Sequence, residues 1–447
     1  ARMMAALRDG DRAAFRKRVK QEPGAVNGNG PGGATPLLYA ALYGDASDVR
    51  FLLEAGADPN AAASGGSTPL MWAVPDPEKT RLLLQRGANA GARSAAGRTP
   101  LLIASGWRNS SAALKLLLAA GANPSVTSPA GDSPLSQAPY IADEAAVRTL
   151  IEGGAELKNL GAPIHNSLWS GCSKCFDQFA KAVRPEDLVA PLMTLANLGD
   201  SESVRFLLGR GADPKSKSPA SGRTALMEAS ASDSIPVAMV GELINRGADV
   251  NVRTVRGETA LDLARLRGDT PVVKLLLKAG ASGNGASTQP PPLPAPAASP
   301  RAAIERSLPL LQQADATFFR KSGCVSCHNN SLTAMSVAAA RKLGLAVDEP
   351  TARTQVRSVA AYLESWRERL LQNAGIPGDA DTVSYILLGL AAENHSPDAA
   401  TDAAARYIAS RQMVDGSWRI ITHRPPIESN DIEVTAASMR ALQVYAP

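Results

Sequence analysis

The pentapeptide Cys324-Val325-Ser326-Cys327-His328 brings two thiols and an imidazole onto one short turn. Thiols at this spacing can both add to the vinyl groups along one edge of a porphyrin, and the histidine that follows then falls under the iron as proximal ligand. The chemistry that these residue types support is covalent haem attachment through Cys324 and Cys327, with His328 on the metal. The same thiols can form a disulfide or half of a zinc site. A zinc site, however, needs a second ligand pair at suitable spacing, and none follows.

The far side of the iron is less determined. His423 lies in Thr422-His423-Arg424-Pro425-Pro426, a loop stiffened by two prolines, and is the first candidate for a distal ligand. Met335, Met413 and Met439 are the alternatives, and an iron without a second protein ligand is a further one. Met335 follows the motif too closely to reach across easily, while Met413 and Met439 have the helical spacing of core methionines. His395, beside Pro397, reads as a surface residue. Arg424 is a candidate partner for a haem propionate. At Cys324 to His328 the chain resembles a c-type cytochrome, which implies one haem c and electron transfer.

A second pair, Cys172 and Cys175, precedes Phe176 rather than a histidine and so is not a second motif of this kind. Placed at a helix start it can form a disulfide, remain as reduced core thiols, act as a redox pair, or hold a haem without the following histidine.

The elements that position these groups are helical. From Thr35 the chain reads TPLLYAALYGDASDVRFLLEAGADPN, and related segments restart at Thr68, Thr99, Ser133, Ala162, Ala190, Thr224 and Thr259, about 33 residues apart. Within a unit, Thr35 can cap a helix and Pro36 suits its first position. Leu37, Ala40 and Ala41 then form one apolar stripe and Val49, Leu52 and Leu53 a second, with Gly56 expected in a left-handed cap. The period, the Thr-Pro-Leu opening and the Gly-Ala-Asp ending resemble the ankyrin repeat. That resemblance implies a solenoid over 1–282, with a charged cap at 3–27 and about eight repeats. It also implies protein binding, and a turn-bonding role for His165.

Residues 283–300, GNGASTQPPPLPAPAASP, read as a linker. From 301 to 447 apolar residues recur at three and four positions near 302–320, 331–344, 350–373, 381–393, 398–412 and 431–445. The stretch Gln412 to Trp418 resembles the Gln-Trp motif of squalene cyclases and protein prenyltransferases, which implies part of an α/α toroid. Asp379-Ala380-Asp381-Thr382 falls short of the acid cluster of the cyclases and is expected to cap a helix beginning at Thr382. The fold class expected is all-α: an ankyrin solenoid followed by an α/α domain carrying one covalent haem.

The charge pattern narrows the function. Net charge is +5, yet residues 301–447 hold 15 basic and 15 acidic side chains, so the excess lies upstream. The upstream arginines, Arg86, Arg98, Arg210, Arg223, Arg246 and Arg256 among them, are scattered near turns without interleaved aromatics, which argues against nucleic-acid binding. No apolar run is long enough to span a membrane, and the chain shows no signal peptide. Haem attachment of this type implies export, to the periplasm of a bacterium. The expected function is electron transfer, with the solenoid docking a redox protein or a multi-subunit complex. The alternatives are a haem enzyme or sensor with an open iron site, or a structural subunit in which haem is a staple.

Overall fold

A helix start leaves its first amides without partners, and several repeats answer this with a hydroxyl. Thr99 accepts from the Leu102 amide at 3.3 Å, Ser133 from Ser136 at 3.1 Å, Thr224 from Met227 at 3.3 Å and Thr259 from Asp262 at 3.2 Å. Thr68 makes no such bond, and its hydroxyl is buried. At the other end of the units the glycine expected to leave the helix does so, Gly56 at φ 89°. Between units an asparagine bridges successive turns: the Asn60 amide donates to the Gly87 carbonyl at 2.9 Å, and its oxygen accepts from the Asn89 amide at 2.8 Å. Asn27 and Asn251 repeat this staple.

The computed structural model describes residues 2–446 apart from 232–234, 284–295, 323–324, 326 and 422–429, with only the backbone of Cys327 and His328. Every regular element among the described residues is helical, as expected. The cap is α1 (Arg2–Arg8) and α2 (Arg12–Gln21). Helix pairs follow: α3 (Pro36–Tyr43) and α4 (Ala46–Glu54), α5 (Pro69–Ala73) and α6 (Pro77–Gln85), α7 (Pro100–Ala104) and α8 (Ser111–Ala119), α9 (Pro134–Tyr140) and α10 (Glu144–Glu152). Next along the chain come α11 (Gly161–Trp169) and α12 (Ser173–Asp177), and then the pairs α13 (Val189–Asn197) and α14 (Ser201–Gly209), α15 (Ala225–Ser230) and α16 (Val237–Asn245), α17 (Ala260–Arg265) and α18 (Pro271–Lys278). Beyond them lie α19 (Pro300–Ser322), α20 (Leu332–Lys342), α21 (Glu349–Leu371), α22 (Asp379–Ala392), α23 (Ala399–Ser410) and α24 (Asp431–Tyr445). The linker read at 283–300 falls largely outside the described residues.

Contacts divide the chain into two compact units. The first comprises Ala1–Lys158, Ser170–Ala182 and Glu368–Ala374; the second comprises Asn159–Trp169, Val183–Arg367 and Gly375–Pro447. In the first, α3 packs on α5, α5 on α7 and α7 on α9. Leu37, Leu70 and Leu101 sit at equivalent places in this stack and are fully buried. Each such leucine contributes about 1.5–3 kcal/mol of transfer free energy, which no isolated unit could collect.

In the second unit α11, α13, α15 and α17 stack in the same way, and α22 packs on α20, α23 and α24. Two ties join chain segments far apart in sequence. The Trp169 indole donates to the Ile420 carbonyl at 3.1 Å, and Arg419 donates to the Trp169 carbonyl. The tryptophan motif at Trp418 links α23 to α24: its indole donates to the Ile408 carbonyl at 2.7 Å, and its amide donates to the Thr435 hydroxyl at 3.0 Å.

Asp379 corrects the sequence expectation. Helix α22 begins there, after Gly378, rather than at Thr382. The Asp379 side chain leaves the helix end and meets the buried Tyr407 hydroxyl and, at 3.4 Å, the Arg411 guanidinium.

Candidate functional site

Helix α19 carries apolar residues near its end, and α20 begins just past the cysteine-histidine motif. Between them Cys327–Ser331 forms a widened, π-type turn, a local form that recurs at functional sites. Val325 is buried at 2% exposure and so anchors the motif to the domain. Helix α22 packs on the turn at Gly389, where an added Cβ would lie 3.0 Å from the Ser331 Cα. A larger residue there would require the turn to give by a few tenths of an ångström. Below the turn Asn330 donates to Asp315 of α19, both nearly fully buried. Burial pushes the Asp315 carboxyl up to about 7, because a charged carboxylate is disfavoured away from water, and the Asn330 amide only partly offsets this.

Cys324, His423 and Arg424 lie outside the described residues, as do the side chains of Cys327 and His328. The surroundings of the motif can still be tested against a flat apolar macrocycle that bears two carboxylates. Two open wells flank it. One, of about 370 Å³, is lined by Ala316, Phe319, Arg320, Asn330 and Thr354 among others. The other, of about 710 Å³, is lined by Leu310, Ala314, Phe318, Lys321 and Asn329 among others. Leu310 is 62% exposed. Each well sets a few apolar side chains beside one cation, Arg320 in the first and Lys321 in the second, among polar residues such as Gln355, Ser358, Gln313 and Thr317. The apolar patches and the cations are the parts that suit a group of that chemistry. Sequence periodicity marked α19 as a helix, but it gave no sign that Leu310, Phe318, Arg320 and Lys321 would gather beside the motif, nor that Asp315 would brace it.

The alternative distal residues separate. Met413 is buried at 3% exposure and Met439 is 52% exposed, while Met335 is half-buried on α20. His395 faces Asp398 at 3.1 Å, and its carbonyl accepts the Tyr445 hydroxyl at 2.9 Å, which gives it a role at a helix end.

Cys172 and Cys175 form a disulfide with Cα atoms 5.2 Å apart. Cys172 caps α12 and Cys175 is fully buried. Among the described residues no cluster of three or more His, Cys, Asp or Glu could hold a metal ion, and no helix is long and apolar enough to cross a membrane.

His165 bonds a side chain rather than turn backbone: its Nδ1 lies 2.9 Å from the Asn166 Oδ1. Burial holds its pKa below the ordinary histidine value. The folded state therefore favours neutral imidazole. The unfolded chain takes up the proton first as pH falls through about 6.5, so this residue's contribution is present above that pH and is lost below it. Replacing His165 with Gln is expected to flatten the decline in urea midpoint between pH 7.5 and pH 5. Parallel declines for both proteins would refute this.

The family "Ankyrin repeats (3 copies)" matches residues 3–94 and 192–286, and "Ankyrin repeat" matches residues 96–129. The chain is 37% identical over 99 residues to the B-cell lymphoma 3 protein homolog of Mus musculus, covering 22% of each protein. It is 35% identical over 114 residues to the ankyrin repeat and SAM domain-containing protein 6 of Rattus norvegicus, covering 24% of this chain and 13% of that protein. It is 46% identical over 69 residues to the mitochondrial disaggregase of Bos taurus, covering 15% of this chain and 10% of that protein. Each match thus spans less than a quarter of the relative's own length. Among solved structures, the human ASB11 ankyrin repeat domain aligns over 49% of this chain and 100% of its own, with a TM-score of 0.39 and 25% identity. Residues 3–94, 96–129 and 192–286 are ankyrin repeats, and among the described residues the chain is all-helical, with a further helical segment after the repeats.

Proposed function

We propose that this protein is an exported, mono-haem c-type cytochrome that passes electrons and is docked to a redox protein or a larger electron-transfer complex through its ankyrin repeats. The observation that carries the reading is Cys324-Val325-Ser326-Cys327-His328 itself. Cys324 and Cys327 would hold the porphyrin edge as thioethers, with His328 on the iron and His423 the candidate opposite it. Bound there, the group supplies one-electron redox chemistry. Leu310 and Phe318 would exclude water from its apolar faces. Arg320 and Lys321 would offset the negative charge of its carboxylates. Arg424 would add a further cation. Ankyrin repeats bind proteins rather than perform chemistry, which suits a docking role.

The test is an alkaline pyridine spectrum of reduced protein after acid–acetone extraction, using protein made in a host competent for export and haem maturation. A haem band that stays with the polypeptide, at the wavelength of a two-thioether haem, is the expected result. Colourless protein would overturn the reading. The spin state of the native iron then separates transfer from catalysis or sensing: a low-spin, six-coordinate iron is expected, and a five-coordinate iron would favour an enzyme or sensor.

A further inference from the structure

Three consecutive repeats place a polar residue just before the capping hydroxyl: Ser67, Arg98 and Asp132. The repeat period sets these in a row along one edge of the first unit. Arg98 is only 1% exposed, and such a buried cation requires satisfied partners. One is Asp132, 2.7 Å from it. The others come from 274 residues further along the chain: Arg98 donates to the Gln372 carbonyl at 3.1 Å and to the Asn373 carbonyl at 3.4 Å.

Those two carbonyls are the outward-facing ends of α21. The helix closes in a Schellman turn, in which the Ala374 amide donates to the Arg369 carbonyl at 2.9 Å and the Asn373 amide to that of Leu370 at 3.0 Å. Asn373 takes the left-handed position at φ 56°. The Gln372 and Asn373 carbonyls then point away from the helix, at the negative end of its dipole, where a guanidinium is favoured. Side chains add the reading of sequence. Glu368 and Gln372, one turn apart on one helix face, both reach Ser67: its hydroxyl donates to Glu368 at 2.9 Å and accepts from the Gln372 amide at 2.7 Å. The Ser94 hydroxyl donates to the Gln372 side-chain oxygen at 2.6 Å, and the Asn373 amide donates to the Gly106 carbonyl at 2.6 Å.

We propose that the turns carrying Ser67, Ser94, Arg98 and Gly106 form a recognition surface for a helix carboxyl end of the form Glu-x-x-x-Gln-Asn, and that this chain's own Glu368–Ala374 is its occupant. This surface is closed to an outside protein unless that protein presents the same pair of carbonyls and displaces the segment. The inference is independent of the haem reading.

Hydrogen exchange on the full chain tests it, comparing wild type with Arg98→Lys and Asn373→Gly. Lysine keeps the charge but cannot fork onto two carbonyls, and glycine keeps the left-handed turn while deleting the amide. Both variants should raise exchange in the 368–374 segment by about tenfold or more, with peptides covering Leu101–Ala104 unchanged. A labelled peptide of residues 359–375 should bind Asn373→Gly protein at least about tenfold more tightly than wild type, because the resident segment is weakened, and should fail to bind Arg98→Lys protein. Should Arg98→Lys unfold the repeats, Asn373→Gly carries the test, since it leaves every repeat residue intact. Unchanged exchange in Asn373→Gly protein, or equal peptide binding to all three proteins, would overturn the proposal.

Discussion

Protein in which Cys324 and Cys327 are both replaced by serine is expected to carry no covalent haem, where the parent is expected to carry one per chain. Serine preserves size and polarity but supplies no thiolate to add across a vinyl group. Any pigment that co-purifies should leave in acid–acetone, and intact-mass measurement should lack the increment of one haem. Replacing either cysteine alone should leave a single thioether and shift the reduced pyridine band. Replacing His328 with alanine should keep the covalent bond in whatever protein matures, but remove the axial nitrogen and convert the iron spectrum. The ankyrin repeats should fold in all of these variants, because Leu37, Leu70 and Leu101 are buried among neighbouring repeats. A doubly substituted protein that retained covalent haem would sink the assignment of the attachment residues.

The second large effect is expected at Asp379. Its carboxylate, 8% exposed, receives the Tyr407 hydroxyl and faces the Arg411 guanidinium, itself 8% exposed. The guanidinium also lies over the Tyr407 ring, 4.6 Å from its centre. Burial pushes the phenol pKa upward, so the hydroxyl stays protonated and donates. Replacing Asp379 with alanine strips the buried cation of this carboxylate, at a cost of about 3–5 kcal/mol. It also places a Cβ-bearing residue with no compensating polar group at φ 54°, a region that aspartate and asparagine tolerate better. Asparagine at 379 should cost less, because it keeps an acceptor for Tyr407. Phenylalanine at 407 should cost about 1 kcal/mol, the net worth of one hydrogen bond. Urea unfolding followed by far-ultraviolet circular dichroism reads the series. An Asp379→Ala midpoint equal to that of Tyr407→Phe would show that the carboxylate and the cation are not coupled.

Much of the architecture was legible because its causes are local. A capping hydroxyl, a following proline, two apolar stripes and a left-handed glycine recur across most units, and each acts on neighbours a few residues away. Helices α19 to α24 were legible for the same reason, within a few residues at their ends. Where the reading failed, a distant partner decided. Asp379 looked like a cap because acidic residues suit helix starts, yet its carboxylate turns to a tyrosine 28 residues away. His165 was expected to bond the turn backbone and instead meets the neighbouring Asn166 side chain. Arg98 read as one scattered arginine among several and is a buried ion with partners on both sides.

By itself, then, the sequence determined the repeat array, the helical class and the presence of two thiols and an imidazole in haem-attachment order. Each of these is encoded in spacing along one stretch of chain. Only the tertiary structure decided that an exposed Leu310 and a half-buried Phe318 stand beside that motif, that Asp315 and Asn330 brace it from below, and that Glu368–Ala374 closes onto Ser67, Ser94 and Arg98. Such pairings join residues separated by 15 to 305 positions. No period or cap announces them, because their free energy arises only once packing has removed both partners from water.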